Sequence, residues 1–222
     1  MAKPDCSPQV LGTLCAAAGF PLTKEQSSQL AVYLDLLMRW NRMMNLVGAR
    51  HWRDALDDLI LDSFHLAAFL REHILPTLPP DPVAWDLGAG AGLPGIPLRM
   101  IWQDGSYCMV ESRDKRTIFL STVLARCPLK GTQVFRGRAE QFMEGKKADL
   151  IVSRAFMPWK DMLAFVRGHL TKEGCVVFLT REELRPEENL PWIRTATMHY
   201  TVNGTKRFFC AFRPAELEQA DL

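Results

Sequence analysis

From Asp86 to Leu98 the chain reads Asp-Leu-Gly-Ala-Gly-Ala-Gly-Leu-Pro-Gly-Ile-Pro-Leu, with glycines at 88, 90, 92 and 95. An apolar run from Val83 leads into Asp86, and apolar residues resume at Ile96. This pattern predicts a buried strand, a tight turn and a helix start whose unpaired N–H groups face a ligand. Glycine lets the backbone come close to that ligand, because no Cβ stands in the way. The chemistry is the holding of a nucleotide cofactor, and two cofactors compete for it. Gly90 to Gly95 spells G-x-G-x-x-G, the dinucleotide pattern. Glu111 closes the next apolar run, 25 residues after Asp86. A carboxylate there accepts the two hydroxyls of a ribose, in NAD and in S-adenosylmethionine alike. Asp86 at the mouth of the loop would repel a pyrophosphate and suit a cationic sulfonium. Pro94 and Pro97 interrupt the helix start that a dinucleotide motif needs. The residues lean towards S-adenosylmethionine and leave NAD open.

Positioning such a loop falls to alternating strands and helices. Strands are expected over 83–87, 107–111, 133–136, 150–153 and 175–180, with helices between them near 96–101, 115–126 and 159–170. That alternation implies right-handed crossovers and a mostly parallel sheet covered on both faces. Arg138 and Arg154 follow the third and fourth strands, at the end where a parallel sheet binds its ligands. Two further runs, 196–202 and 206–212, flank Asn203-Gly204, which predicts an antiparallel hairpin at the end of the sheet. Upstream, Ser7-Pro8 reads as a helix cap with Gly19 past the end, and Thr23 to Gln26 has capping-box spacing. A third helix is expected from about Asp54, with Leu56, Leu59, Ile60, Phe64, Ala67 and Ala68 on one face. The proline-rich stretch 76–82 then breaks the pattern. The expected organisation is a helical cap over 1–75, a stiff linker over 76–82 and a cofactor domain over 83–222.

At 48% hydrophobic and 23% charged residues, the 222-residue chain has the composition of a globular protein. A net charge of +2 does not argue for a nucleic-acid partner, but residues 99–154 carry eleven Lys/Arg against six Asp/Glu. Six cysteines show no CxxC spacing, and Cys15, Cys108, Cys175 and Cys210 sit in apolar runs as small core side chains. The five histidines have no ligand spacing, so no metal site is expected. No signal-peptide core or membrane-length apolar run is present, and a reduced, cytoplasmic protein is expected.

The segment 86–98 resembles the loop of the RsmG (GidB) family of bacterial 16S rRNA methyltransferases. The similarity continues through Glu111-Ser112-Arg113-Asp114-Lys115-Arg116, Gly137-Arg138-Ala139-Glu140 and Ser153-Arg154-Ala155-Phe156. It extends upstream to Trp40-Asn41, Asn45-Leu46, Arg50 and Leu61-Asp62-Ser63, and downstream to Arg207. The resemblance implies a class I methyltransferase fold, a Rossmann-like seven-stranded sheet, with S-adenosylmethionine as methyl donor. The product it implies is N7-methylguanine in the decoding-region loop of 16S rRNA, made on that RNA or on the small ribosomal subunit by a monomeric enzyme. Cofactor contacts are then expected from Gly88, Gly90 and Leu93, from Glu111, from Ala139 and Glu140, and from Arg154. Arg50, Arg138, Arg181 and Arg207 become candidates for holding RNA.

Guanine N7 carries a lone pair and no proton, so such a reaction requires alignment and no base. No Asp/Asn-Pro-Pro-aromatic motif follows the fourth strand; Ser153-Arg154-Ala155-Phe156 stands there instead. Arg138 and Arg154 are accordingly expected to position, with no dedicated acid, base or nucleophile. Two family positions are not kept: Asp58-Leu59 replaces an Arg-His pair, and Thr180-Arg181 replaces Lys-Gly. These departures bear on the RNA target and keep a diverged homologue acting on another RNA in view. An NAD(P)-binding oxidoreductase and a non-catalytic RNA-binding protein are the other classes.

Overall fold

The computed structural model describes residues 6–186 and 190–215. Helix α1 (Pro8–Ala17) starts where the Ser7 hydroxyl accepts from the Val10 N–H, and it ends before Gly19 at φ +89°. Helix α2 (Lys24–Met44) opens on a two-way capping box, Gln26 N–H to the Thr23 hydroxyl and Thr23 N–H to the Gln26 side chain. Helix α3 (Trp52–Ala55) begins two residues before the expected Asp54. It passes through a π-helical turn, Leu56–Ile60, into α4 (Leu61–Phe69), and a second such turn covers Leu70–Ile74. A π turn adds a residue per turn and rotates the faces of the helix beyond it. Leu56, Ile60, Phe64 and Ala67 are therefore buried as expected, whereas Leu59 is half-buried and Ala68 exposed.

Strands β1 (Val83–Leu87), β2 (Ser106–Glu111), β3 (Thr132–Arg136), β4 (Ala148–Ser153), β5 (Leu170–Thr180), β6 (Trp192–Val202) and β7 (Thr205–Pro214) form one sheet, ordered β3-β2-β1-β4-β5-β7-β6. The first five in that order run parallel; β7 lies antiparallel between β5 and β6. Asn203 and Gly204 turn the hairpin with φ of +47° and +74°, the left-handed pair that an Asn-Gly turn supplies. The crossovers are α5 (Gly95–Ile101), α6 (Asp114–Arg126), α7 (Ala139–Met143) and α8 (Trp159–Val166). β5 begins at Leu170, inside the span expected to be helix. A bulge against Ala148 and Leu150 lets the strand run through Gly174, where a Cβ would lie 2.8 Å from the Ala148 carbonyl oxygen.

Side chains alternate across β1, Ala84 to one face and Trp85 and Leu87 to the other. On Ala84's face, one apolar core joins Leu30, Leu34, Leu37 and Phe64 of the upstream helices to Ile96, Phe119 and Leu120 of α5 and α6. The stretch 76–82 thus separates helices from sheet along the chain, while the core runs across it. Two polar ties reinforce the contact: the Tyr33 hydroxyl donates to the Ala91 carbonyl at 2.8 Å, and Gln26 Nε2 to the Met100 carbonyl at 2.9 Å. At the opposite end of the sheet, the fully buried Arg99 donates to carbonyls of Gln103, Asp104 and Lys130. Its charge is spread over these backbone dipoles.

Candidate active site

Three loops at the carboxyl ends of β1, β2 and β3 enclose a cleft of about 330 Å³, lined by Gly88, Glu111, Arg138, Ala139, Glu140 and Phe156 among others. Gly88 has φ +75°, and a Cβ on it would lie 2.4 Å from the ring of Phe156, which closes over the loop from the β4 side. Glu111 is buried at the cleft floor, its two oxygens accepting from the N–H groups of Arg113 at 2.8 Å and Gly90 at 3.0 Å. Arg116 stands 3.9 Å from it. Each carboxylate oxygen keeps a second lone pair, so the anchored carboxylate still accepts ribose hydroxyls. The start of α7 turns the Ala139 backbone and the exposed Glu140 into the same cleft. An acceptor for a ribose, a helix start for a base edge and the apolar Val110, Ala139 and Phe156 fit a nucleoside cofactor.

The expectation for Asp86 is corrected. Its side chain does not stand in the mouth of the loop; it is 1% exposed and lies beneath it. Tyr107 donates to it at 3.3 Å and the Gly95 N–H also bonds to it, with Oδ2 only 2.7 Å from where a Gly95 Cβ would be. Alternation along β1 puts Asp86 on the α5 face, so the first N–H of that helix is spent on Asp86 and does not face the ligand. Burial pushes its carboxyl up to about 7, against the Tyr107 and Gly95 bonds. Gly90 gives its N–H to Glu111, and Leu93 is buried in the core; neither lines the cleft.

A second, larger cleft of about 940 Å³ lies between the upstream helices and the ends of β4, β5 and β7. It gathers Arg50, Arg154, Arg181 and Arg207, residues far apart in the chain. Ala155 lines both clefts and adopts φ +54°, rarely held by a residue with a Cβ. Arg154, expected at the cofactor, stands here instead, its Nη2 3.6 Å from Asp62 Oδ2. The Tyr200 hydroxyl bonds to Asp62 Oδ1, with His65 stacked on the Tyr200 ring at 3.9 Å. Burial raises the Asp62 carboxyl, while Tyr200, Arg154, Arg207 and His65 pull it down. Nη1 of Arg154 and Nε of Arg207 are buried without a hydrogen-bond partner among the described residues. Of the four RNA candidates only Arg138 is elsewhere, exposed on the rim of the smaller cleft. Asp58, in place of the family's basic pair, accepts from Asn203 at the hairpin tip.

Asp62 and Tyr200 are the residues that sequence reasoning passed over. Asp62 stood in a family motif with no role, and Tyr200 had only its place in a strand. The cysteines expected in the core are there; Cys127 is buried too, and burial pushes its thiol up to about 11. No cluster of metal-ligating side chains occurs among the described residues.

This strand order, with its reversed β7 and a nucleoside cleft at the carboxyl ends of the parallel strands, defines a class I S-adenosylmethionine-dependent methyltransferase. A solved structure of an MtNAS mutant in complex with S-adenosylmethionine aligns with a TM-score of 0.57 at 13% identity, over 94% of this chain and 77% of that one, a likeness of fold alone. Residues 26–209 match the family model of rRNA small subunit methyltransferase G, and the chain belongs to that family. It is 51% identical over 211 residues to the ribosomal RNA small subunit methyltransferase G of Nitratidesulfovibrio vulgaris (strain DP4), covering 95% of both chains. The protein of that name from Lawsonia intracellularis is 47% identical over 204 residues, 90% of this chain and 93% of the relative. S-adenosylmethionine is therefore the methyl donor, and the choice the residues left open is closed against NAD.

Proposed function

We propose that the chain methylates N7 of a guanine in the decoding-region loop of 16S rRNA, as free RNA or within the small ribosomal subunit. When bound, S-adenosylmethionine supplies a methyl group already activated on a sulfonium. Gly88, Glu111, Ala139 and Glu140 hold the cofactor, with Gly90 bracing Glu111. Arg50, Arg154, Arg181 and Arg207 hold the RNA in the larger cleft, and Arg138 meets it at the rim. The base's N7 lone pair forms the new C–N bond as the C–S bond breaks, its electron pair leaving with sulfur, and no proton is removed.

One observation carries this reading: a cleft shaped for a nucleoside and an arginine-lined cleft meet at Ala155. Arginine is suited to phosphate and to base edges alike. The reading implies a cytoplasmic enzyme acting as a monomer. The buried, unbridged Cys15, Cys108, Cys127, Cys175 and Cys210 agree with a reducing compartment, and no described helix is long and apolar enough to cross a membrane.

The test supplies labelled S-adenosylmethionine with naked 16S rRNA, small subunits and large subunits separately. Label in small-subunit RNA, recovered as N7-methylguanine, is the expected result. Label confined to another RNA would point to the diverged homologue that Asp58, Leu59 and Thr180 bring to mind.

A further inference from the structure

Asp62 and Arg154 lie side by side in the larger cleft with their bonding capacity unfilled. Asp62 is 5% exposed, and among the described residues its Oδ2 has only Arg154 Nη2, at 3.6 Å, beyond a good hydrogen bond. Its Oδ1 takes the Tyr200 hydroxyl, leaving at least one lone pair on each oxygen. Arg154 Nη1 is buried with no partner among the described residues. A network serving only to pin α4 to the sheet would need the Tyr200–Asp62 bond and no spare donor. A buried donor left unpaired costs stability. Acceptor and donor together ask for a ligand offering the reverse.

Guanine offers it. Along one edge it presents O6 as acceptor, then N1–H and the N2 amine as donors, with N7 on the far side of O6. Building on the guanine-N7 function above, we infer that Asp62 selects the base: its carboxylate accepts from N1–H and the N2 amine, and Arg154 Nη1 donates to O6. N7 is then left towards Ala155 and the cofactor cleft. Trp159, Met157 and Phe178 in the same cleft supply apolar surface for the extruded base. Adenine reverses the pattern, setting a lone pair against the carboxylate and an amine against the guanidinium. Methylation also turns the purine into a cation, which makes N1–H a stronger donor. The bond to Asp62 therefore tightens as the methyl transfers, and its loss falls on kcat more than on KM.

Asp62→Asn keeps the shape and removes the second acceptor. Methyl transfer is compared on small-subunit RNA with guanine or inosine, which lacks only the N2 amine, at the methylated position. Wild type should favour guanine by about tenfold or more, as for a lost bond to a charged group. In Asp62→Asn the ratio should fall towards one with kcat reduced, and S-adenosylmethionine affinity should be unchanged by calorimetry. Tyr200→Phe, which leaves the carboxylate in place, should keep the ratio. Guanosine and inosine monophosphates titrated without cofactor should show the same order in wild type and lose it in the variant. A ratio in Asp62→Asn equal to that of wild type, or no preference in wild type, overturns the role of Asp62. If Asp62→Asn does not fold, the smaller Asp62→Ser is measured against the same two outcomes. Absence of transfer by wild type to any small-subunit RNA overturns the functional reading itself, and this inference with it.

Discussion

The two clefts that share Ala155 are built on opposite principles. In the smaller one, polar groups are bonded to one another before a ligand arrives, with Glu111 held by the Gly90 and Arg113 N–H groups. Its walls are turns and helix starts, so its shape follows from backbone conformation. In the larger one, side chains from α4, the β4 loop, β6 and β7 converge, and Arg154 and Arg207 bury donors with no partner among the described residues. The first is preorganised and specific for a ligand that never changes. The second waits for its partner to complete it. On the proposed function, a bound RNA would supply the missing acceptors, and substrate choice would be made in the larger cleft.

Separating the clefts by mutation tests the contrast. Arg154→Ala carries the largest expected effect, a loss of methyl transfer of about a hundredfold or more with circular dichroism unchanged. Because Arg154 stands with Asp62, its cofactor affinity should stay within about threefold of wild type; an equal loss of both would merge the two sites. Gly88→Ala is the converse. Left-handed φ and contact with Phe156 should cost roughly 1–2 kcal/mol in cofactor binding, about tenfold in Kd, while RNA binding by filter retention is spared.

Beneath the smaller cleft, Asp86 should give wild type a pH dependence. Its carboxyl is raised to about 7, so the stability it allows is present below the unfolded value near 4. That stability drains away as pH rises towards 7. Asp86→Asn should remove this slope in urea titrations between pH 4 and 8; an unchanged slope would show that the buried carboxylate is not its source. The smallest effect is expected from the exposed Arg181. Its change to Ala should weaken RNA binding only a few-fold and lower the slope of log affinity against log salt by about one.

The contrast also governs what could be read from the chain. The smaller cleft is local: a glycine pattern, an acid at a strand end and a helix start each leave a signature within a few residues. Even so, the direction of Asp86 was missed, because a carboxylate before a glycine turn looks alike whether it points up at a ligand or down at Tyr107 and Gly95. The parallel strands followed from alternation and the closing hairpin from the Asn-Gly turn, whereas the order of strands in the sheet came only from the structure. The start of β5 was also missed, since a helix was expected to run to Leu170 and the strand to begin at Cys175, whereas the bulge against Ala148 and Leu150 lets the strand start at Leu170 and pass through Gly174. Asp62 and Tyr200 lie 138 residues apart and meet only through the packing of α4 on the hairpin, which no spacing rule encodes. The motif containing Asp62 marked the place without the partner that explains it.

The core that crosses residues 76–82 has a consequence for how the molecule is born. Leu30, Leu34 and Leu37 leave the ribosome early, yet they pack against Phe119 and Leu120, made roughly eighty to ninety residues later. At about 5–20 residues per second, those apolar faces wait several seconds for their cover. The sheet repeats the delay at its far edge, where β6 emerges before β7, the strand that joins it to β5. The sheet therefore closes only once β7 has been made.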